Sequence, residues 1–348
     1  MGKSRKFQEI DLSMLCHQLS IVLKSGMHPV EGIPLITEDI KNPFLKQALQ
    51  LISEEHVHGT PLYKAFGHAG GFPLYMVAMI RVGEQTGMLE TVMEELSNFY
   101  ENEADIKKKI RSAVSYPIIL AVLMMGVIAL IAVKVIPMFV DILTSLGGEI
   151  PSQVNLFIAI GNAFTGGFVS IIAIILILII IFILLSRLKQ FRFLMDKLKL
   201  VSPIIGGTYK KIIASRFSNA LSLTLKNGMN VSEGFQVVSG VLENRYVILK
   251  AQEAALSIAK GNPFSESIRK TGLFPELFIR LIKTGEKTGN LDAMMKKISN
   301  IYKEEVDTSL RRIVSYIEPV CVTALSLILA GVLLSVILPL ISIMSSIG

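Results

Sequence analysis

Gly83-Glu84-Gln85-Thr86-Gly87-Met88-Leu89 decides the fold, because the chain carries it again, 202 residues on, as Gly285-Glu286-Lys287-Thr288-Gly289-Asn290-Leu291. Phe72-Pro73 stands ahead of the first copy and Phe274-Pro275 ahead of the second. Tyr100 and Pro117 follow the first, Tyr302 and Pro319 the second, all at the same offset. Further out, Lys24-Ser25-Gly26-Met27 is matched by Lys226-Asn227-Gly228-Met229, Glu31-Gly32 by Glu233-Gly234, and Gly59-x-Pro61 by Gly261-x-Pro263. The register holds without a gap from Leu19/Leu221 to Pro137/Pro339. Glycine and proline punctuate helices, so the duplicated object is a fold.

The first copy reads as a small all-α bundle of about six helices. Leu12, Leu15, Cys16, Leu19, Val22 and Leu23 recur at helical spacing over residues 10–25, with Lys24 in the last turn and Gly26 as the stop. Pro29 starts a second helix over 30–40, and Asn42-Pro43 a third over 44–57. Gly59-Thr60-Pro61 and the glycines at 67–71 bracket a short fourth. Pro73 opens a fifth that ends near Gly83. Thr86 then serves as N-cap of a sixth carrying Leu89, Val92, Met93, Leu96 and Phe99, while Gly83 takes a positive φ at the preceding helix end.

The composition is 51% hydrophobic and 18% charged, with mean hydropathy +0.56. That is too apolar for an ordinary soluble protein and too charged for a wholly embedded one, so charges and apolar runs are segregated. Three such runs occupy residues 117–140, 169–185 and 320–343. The first, 24 residues, spans about 36 Å as helix, enough to cross a bilayer. The second is near the minimum length and borrows from residues 164–168. Residues 1–116 hold 12 Lys+Arg and residues 186–319 hold 22, whereas residues 141–168 hold none. The positive-inside rule therefore puts both modules in the cytoplasm. The expected architecture is an all-α integral membrane protein: two duplicated six-helix cytoplasmic bundles (1–116 and 186–319) and three transmembrane helices (117–140, 169–185, 320–343). A loop over 141–168 and a tail over 344–348 lie outside. The charged N-terminal residues are no secretory signal, and Lys6 stands where a myristoylation motif wants Ser or Thr.

The modules differ in charge. The first holds 14 Asp+Glu and the second 12, leaving one at −2 and the other at +10, so the two present different faces to different partners. Lys107-Lys108-Lys109-Arg111, Arg187-Lys189-Arg192 and Arg311-Arg312 flank the spans, placed to meet anionic headgroups or a protein.

No catalytic constellation emerges. Cys16 and Cys321 are too few for a disulfide framework and read as free thiols. Glu54-Glu55-His56-Val57-His58 resembles a metal cluster, but residues two apart on a helix face different sides. Gly285-Glu286-Lys287-Thr288-Gly289 lacks the glycine before lysine and the preceding strand of a phosphate loop. Glu84 and Glu286 are the open question: a carboxylate in such a turn most often bonds nearby backbone amides. A calcium site there would need about six oxygens, which one glutamate does not establish. Pro117 and Pro137, repeated as Pro319 and Pro339, are 20 residues apart, about 30 Å of helix. They mark where cytoplasmic helix becomes membrane helix, or act as hinges. No metal, cofactor or enzyme activity is expected.

Together, the duplicated Gly-Glu-x-Thr-Gly-x-Leu, Ser115-Tyr116-Pro117, Pro137 with Gly147-Gly148-Glu149-Ile150-Pro151, and the module–span–span–module–span order resemble a known family. It is that of the polytopic inner-membrane platform proteins of type IV pilus and type II secretion machines (PilC-like and GspF-like). The resemblance covers nearly the whole chain. It departs in lacking the long N-terminal extension of many members, and in having Glu318 before Pro319, which leaves the Tyr-Pro junction unduplicated. The resemblance implies a non-enzymatic scaffold of the bacterial inner membrane, multi-pass with a cytoplasmic N-terminus. It would couple a cytoplasmic hexameric assembly ATPase to insertion of pilins or pseudopilins, alongside other inner-membrane assembly proteins and membrane lipids. It would be a homo-oligomer with no direct nucleic-acid contact. The turn residues Gly83, Glu84, Thr86, Gly87, Gly285, Glu286, Thr288 and Gly289 become its joint. The rival reading is a small membrane transporter or channel subunit. Against it, Lys134 is the only ionisable residue well inside a span, and transport sites need several polar groups near the midplane.

Overall fold

The computed structural model describes residues 7–135, 188–203, 205–242 and 244–347, with positions 137, 138, 141 and 145. The apolar run at 169–185 and nearly all of the 141–168 loop lie outside the described residues, as does Gly147-Gly148-Glu149-Ile150-Pro151. Among the described residues there is no strand.

Six helices cover the first module: α1 (Glu9–Lys24), α2 (Pro29–Asp39), α3 (Pro43–Val57), α4 (Leu62–Ala69), α5 (Leu74–Thr86) and α6 (Leu89–Leu130). A π-helical turn, Ile131–Val135, follows α6. It lies just ahead of Pro137, whose missing N–H removes one rung of the ladder and favours such a register change. After α7 (Lys189–Val201) come α8 (Gly206–Lys226), α9 (Val231–Ser239), α10 (Arg245–Ala259), α11 (Phe264–Lys270), α12 (Glu276–Thr288) and α13 (Leu291–Ile347). The starts of α9 to α13 fall 202 residues after those of α2 to α6.

Local chemistry explains these boundaries. Asn42 Oδ1 accepts the amides of Phe44 and Leu45 at the start of α3, and Asn244 Oδ1 accepts that of Val247 in α10, ordinary N-capping. Gly26 and Gly228 adopt φ of 81° and 86°, the left-handed conformation that ends a helix without a Cβ penalty. Leu12, Leu15, Cys16 and Leu19 are buried as the periodicity expects. Burial pushes the Cys16 thiol far up, which makes it inert.

The chain divides into two compact units. One contains residues 1–109 and 193–309, the other residues 110–192 and 310–348. In the first unit, α1 and α6 approach closely because serines face each other. Ser13 Oγ donates to Ser97 O and Ser97 Oγ to Ser13 O, each at 3.0 Å. The corresponding helices α8 and α13 meet at Ser215 and Ser299. Among the described residues one helix, Leu89–Leu130, is identified by length and apolarity as able to cross a membrane. The apolar run 320–343 lies inside α13, as do Pro319 and Pro339, and Pro117 lies inside α6.

Candidate functional site

The repeated turn differs from its sequence reading by one helical turn. Helix α5 does not end at Gly83 but continues to Thr86. Gly87 takes the left-handed conformation, with φ of 70°, and Gly289 does the same at 69°. Gly83 is helical, and its amide partner pattern closes the turn: its carbonyl accepts the Gly87 and Met88 amides. Its lack of a side chain serves packing. A β-carbon there would lie 3.0 Å from Leu89 Cα and 3.1 Å from Val92 Cβ. At Gly285 it would lie 2.9 Å from Met294 Cβ. Thr86 is not an N-cap; its hydroxyl donates back to Val82 O at 2.8 Å, and that of Thr288 to Thr284 O at 3.0 Å. With the helix extended through the threonine, its hydroxyl reaches the carbonyl one turn earlier.

Glu84 reaches across to a different helix. The Leu62 amide donates to its Oε1 at 2.8 Å and the Tyr63 amide to its Oε2 at 3.1 Å. Helix α4 starts after Pro61, which offers no side-chain acceptor, so the carboxylate caps it from 22 residues away. Glu286 repeats the arrangement on α11. It accepts the Phe264 amide at 2.5 Å, the Ser265 amide at 3.2 Å and the Ser265 hydroxyl at 2.5 Å. A negative charge there also complements the helix dipole. The joint thus ties three consecutive helices together: α5 carries the carboxylate, α4 receives it, and Gly83 lets α6 lie close.

Of the histidines, His28 and His56 come together, their rings stacked with centroids 5.8 Å apart. His56 Nδ1 lies 2.9 Å from Thr60 O, and His68 Nδ1 lies 2.8 Å from Glu55 Oε2. Among the described residues no group of three or more His, Cys, Asp or Glu is placed to hold a metal.

Sequence reasoning missed the seam inside the first unit, where α5 and α6 meet α8, α9 and α13. Glu103 Oε2 lies 2.8 Å from Arg216 Nε with both side chains largely buried. Glu95 takes Lys226 and Asn227, each at 2.6 Å. Lys109 lies 2.6 Å from Asp307, and Tyr75 donates its hydroxyl to Ala220 O at 3.2 Å. Lys107 pairs with Glu9. Two lysines assigned by position to the membrane border are therefore engaged in ion pairs. Burial, and then the neighbouring Cys16, Tyr75, Glu103 and Glu9, hold the Tyr100 phenol well above its ordinary range. A cleft of about 480 Å³ follows the seam, its lining including Asn98, Asn102, Asn219, Asn300, Lys296 and Lys303. The one sequence signal was a mismatch between copies: Arg216 occupies the position held by Met14 in the first.

Among the described residues, fold and site define an all-helical protein with a membrane-length helix, built round glutamate-capped turns. The family model of type II secretion system protein F matches the chain twice, over residues 15–137 and 217–339. The chain belongs to that family. A type IV pilus assembly protein PilC of Thermus thermophilus is 28% identical over 97% of this chain and 84% of its own length. The PilC of Pseudomonas aeruginosa is 25% identical over 100% and 94% respectively. A type II secretion system protein F of Vibrio cholerae is 23% identical over 94% and 80%.

Proposed function

We propose that the chain is the inner-membrane platform of a type IV pilus or type II secretion machine. In this reading two duplicated six-helix bundles, residues 1–116 and 186–319, face the cytoplasm. Helices 117–140, 169–185 and 320–343 span the membrane, with residues 141–168 and 344–348 outside. A cytoplasmic assembly ATPase turns the bundles, and the membrane helices pass that motion to pilin or pseudopilin subunits being added to a fibre.

The observation that carries this reading is the unbroken helix from Leu89 to Leu130. It begins directly after the Glu84 turn and continues through Pro117 into the apolar run, about 63 Å at 1.5 Å per residue. Its second counterpart, Leu291 to Ile347, begins after the Glu286 turn. A helix of that kind transmits rotation or tilt only while its backbone stays stiff.

Two glycines inserted between Arg111 and Ser112 soften that connection at roughly 1 kcal/mol each without touching the turn or the seam. The expected result is a protein that still accumulates in the membrane while fibre assembly, counted by electron microscopy or by sheared pilin, falls at least about tenfold, the equivalent of 1.4 kcal/mol. Normal assembly would sink the coupling role.

A further inference from the structure

We propose that a second copy of this chain docks head-to-tail on the outer face of α1 and α2, presenting the outer face of its own α12 and α13. The chain already contains a pattern for that contact. In the seam, α5 and α6 of the first bundle cover α8 and α9 of the second, and the pairing is unequal. The first bundle uses its α5/α6 face, while the second uses the face that α1 and α2 would correspond to. Among the described residues, each chain therefore has one face of each kind in use and one of each kind uncovered.

Burial at equivalent positions shows this directly. Tyr75 is 2% exposed in the seam, whereas Leu277, its counterpart 202 residues on, is 50% exposed. On the other side Ile212 is 6% exposed and its counterpart Ile10 is 48%. Met14 and Ile21, counterparts of the seam residues Arg216 and Leu223, stand 57% and 53% exposed. They line one face of α1 at a spacing of seven residues. An apolar stripe in water on a helix whose equivalent is covered asks for a cover.

The chemistry of the free faces selects a second copy. Arg81 lies 3.6 Å from Glu233 in the seam; the same pairing between copies sets Lys283 against Glu31. Neither of these has an ion pair among the described residues. Leu277 and Ile301 would take the places of Tyr75 and Phe99 against Met14 and Ile21. The module bearing the free α1/α2 face is net −2 and the one bearing the free α12/α13 face is net +10, so the encounter is also steered. One position opposes: Lys297 would meet Lys24, which Glu94 already holds at 2.9 Å. The contact between copies is thus weaker than the seam, and reversible. Because the interface is heterologous, repeating it closes a ring or continues. It rests on the duplicated-bundle part of the platform reading and not on what fibre is built. Lost cross-linking with intact fibre assembly would overturn the interface and leave the platform role standing.

The test uses the full chain in detergent, with Cys321→Ser, and two differently tagged copies, one carrying Glu31→Cys and the other Lys283→Cys. A short bis-maleimide should join the two tags when the copies are mixed, and neither variant should cross-link with itself. Met14→Glu sets a carboxylate against Glu305 of the other copy and should cut the cross-linked fraction at least about tenfold, since facing like charges costs several kcal/mol. Met14→Arg re-creates across copies the pair that Arg216 makes with Glu103, and should keep or raise that fraction. A monomeric mass by light scattering with no mixed product overturns the proposal. So does self-linking through Glu31→Cys, which would mean a face-to-face pair. Equal loss with both Met14 variants overturns it too, because only a generic greasy surface is indifferent to the sign of the charge.

Discussion

Replacing Arg216 by methionine is expected to cost the compact unit roughly 3 kcal/mol. Glu103 is 6% exposed and faces the guanidinium at 2.8 Å, so truncating the arginine leaves a desolvated carboxylate without that charge. Lys107, one turn along α6 and paired with Glu9, softens that loss, which keeps the figure at the low end of the range for broken buried pairs. Glu103→Leu combined with Arg216→Met should recover most of the stability, because a pair replaced by apolar groups leaves no orphan charge. The measurement is urea unfolding of the three variants in the same detergent, followed by circular dichroism. A single Arg216→Met variant within about 0.5 kcal/mol of the parent, the range of an ordinary surface substitution, would show that the seam does not depend on this pair.

Acid should act on the same cluster. Burial pushes the Glu9 carboxyl up, but the Lys107 hydrogen bond, the Glu9 backbone amide and the charges of Lys107 and Arg216 outweigh it, leaving it below its ordinary value of 4.5. A carboxyl depressed in the folded state lends stability that is fully present above the unfolded value. That stability is lost as pH falls through the folded one. The urea midpoint should therefore decline below about pH 4.5, and Lys107→Met should flatten that decline. An unchanged pH profile in the variant would mean that Glu9 is not held by the lysine.

What the sequence made legible follows from what local chemistry determines. Helix starts at Pro29 and Pro43 and stops at Gly26 and Gly59 were readable because proline at a first turn and glycine past a last one act through their own backbones. The turn at 83–87 was misread for the opposite reason. It holds two glycines, and nothing local says which of them takes the left-handed conformation and which yields space to a neighbouring helix. That is decided by the Leu89 backbone and Val92, a packing fact. The reach of Glu84 to Leu62 and of Glu103 to Arg216 is likewise tertiary. Periodicity reports that a face is apolar and stays silent on what covers it. Only the comparison of copies carried a trace, since Met14 and Arg216 cannot both suit one environment.

Glu84→Lys should have the second large effect, and it tests what the repeated turn is for. Both oxygens of the carboxylate hold amides at the start of α4, an eight-residue helix whose capping position is a proline. Hydrogen bonds to a charged group contribute about 1.5–3 kcal/mol each. The lysine would also oppose the dipole of α4, so a loss of about 3 kcal/mol is expected for the reversal, and less for Glu84→Ala. Glu84→Gln retains one acceptor and should fall between the alanine variant and the parent. The loss is local before it is global, because α4 reaches the core through Leu62, Ala65 and Phe66, all buried, with Phe66 against Phe72 at 4.8 Å. Hydrogen exchange in the intact membrane protein should therefore speed up at Leu62 and Tyr63 at least about thirtyfold, the equivalent of roughly 2 kcal/mol. The α6 amides should stay protected. Glu286→Lys should do the same at Phe264 and Ser265. Unchanged exchange at these four amides would remove the capping role. Loss of fibre assembly in Glu84→Gln with protection retained would show that the carboxylate acts on a partner as well as on α4. The structural account predicts that assembly and α4 protection fall together, in the order Gln, Ala, Lys.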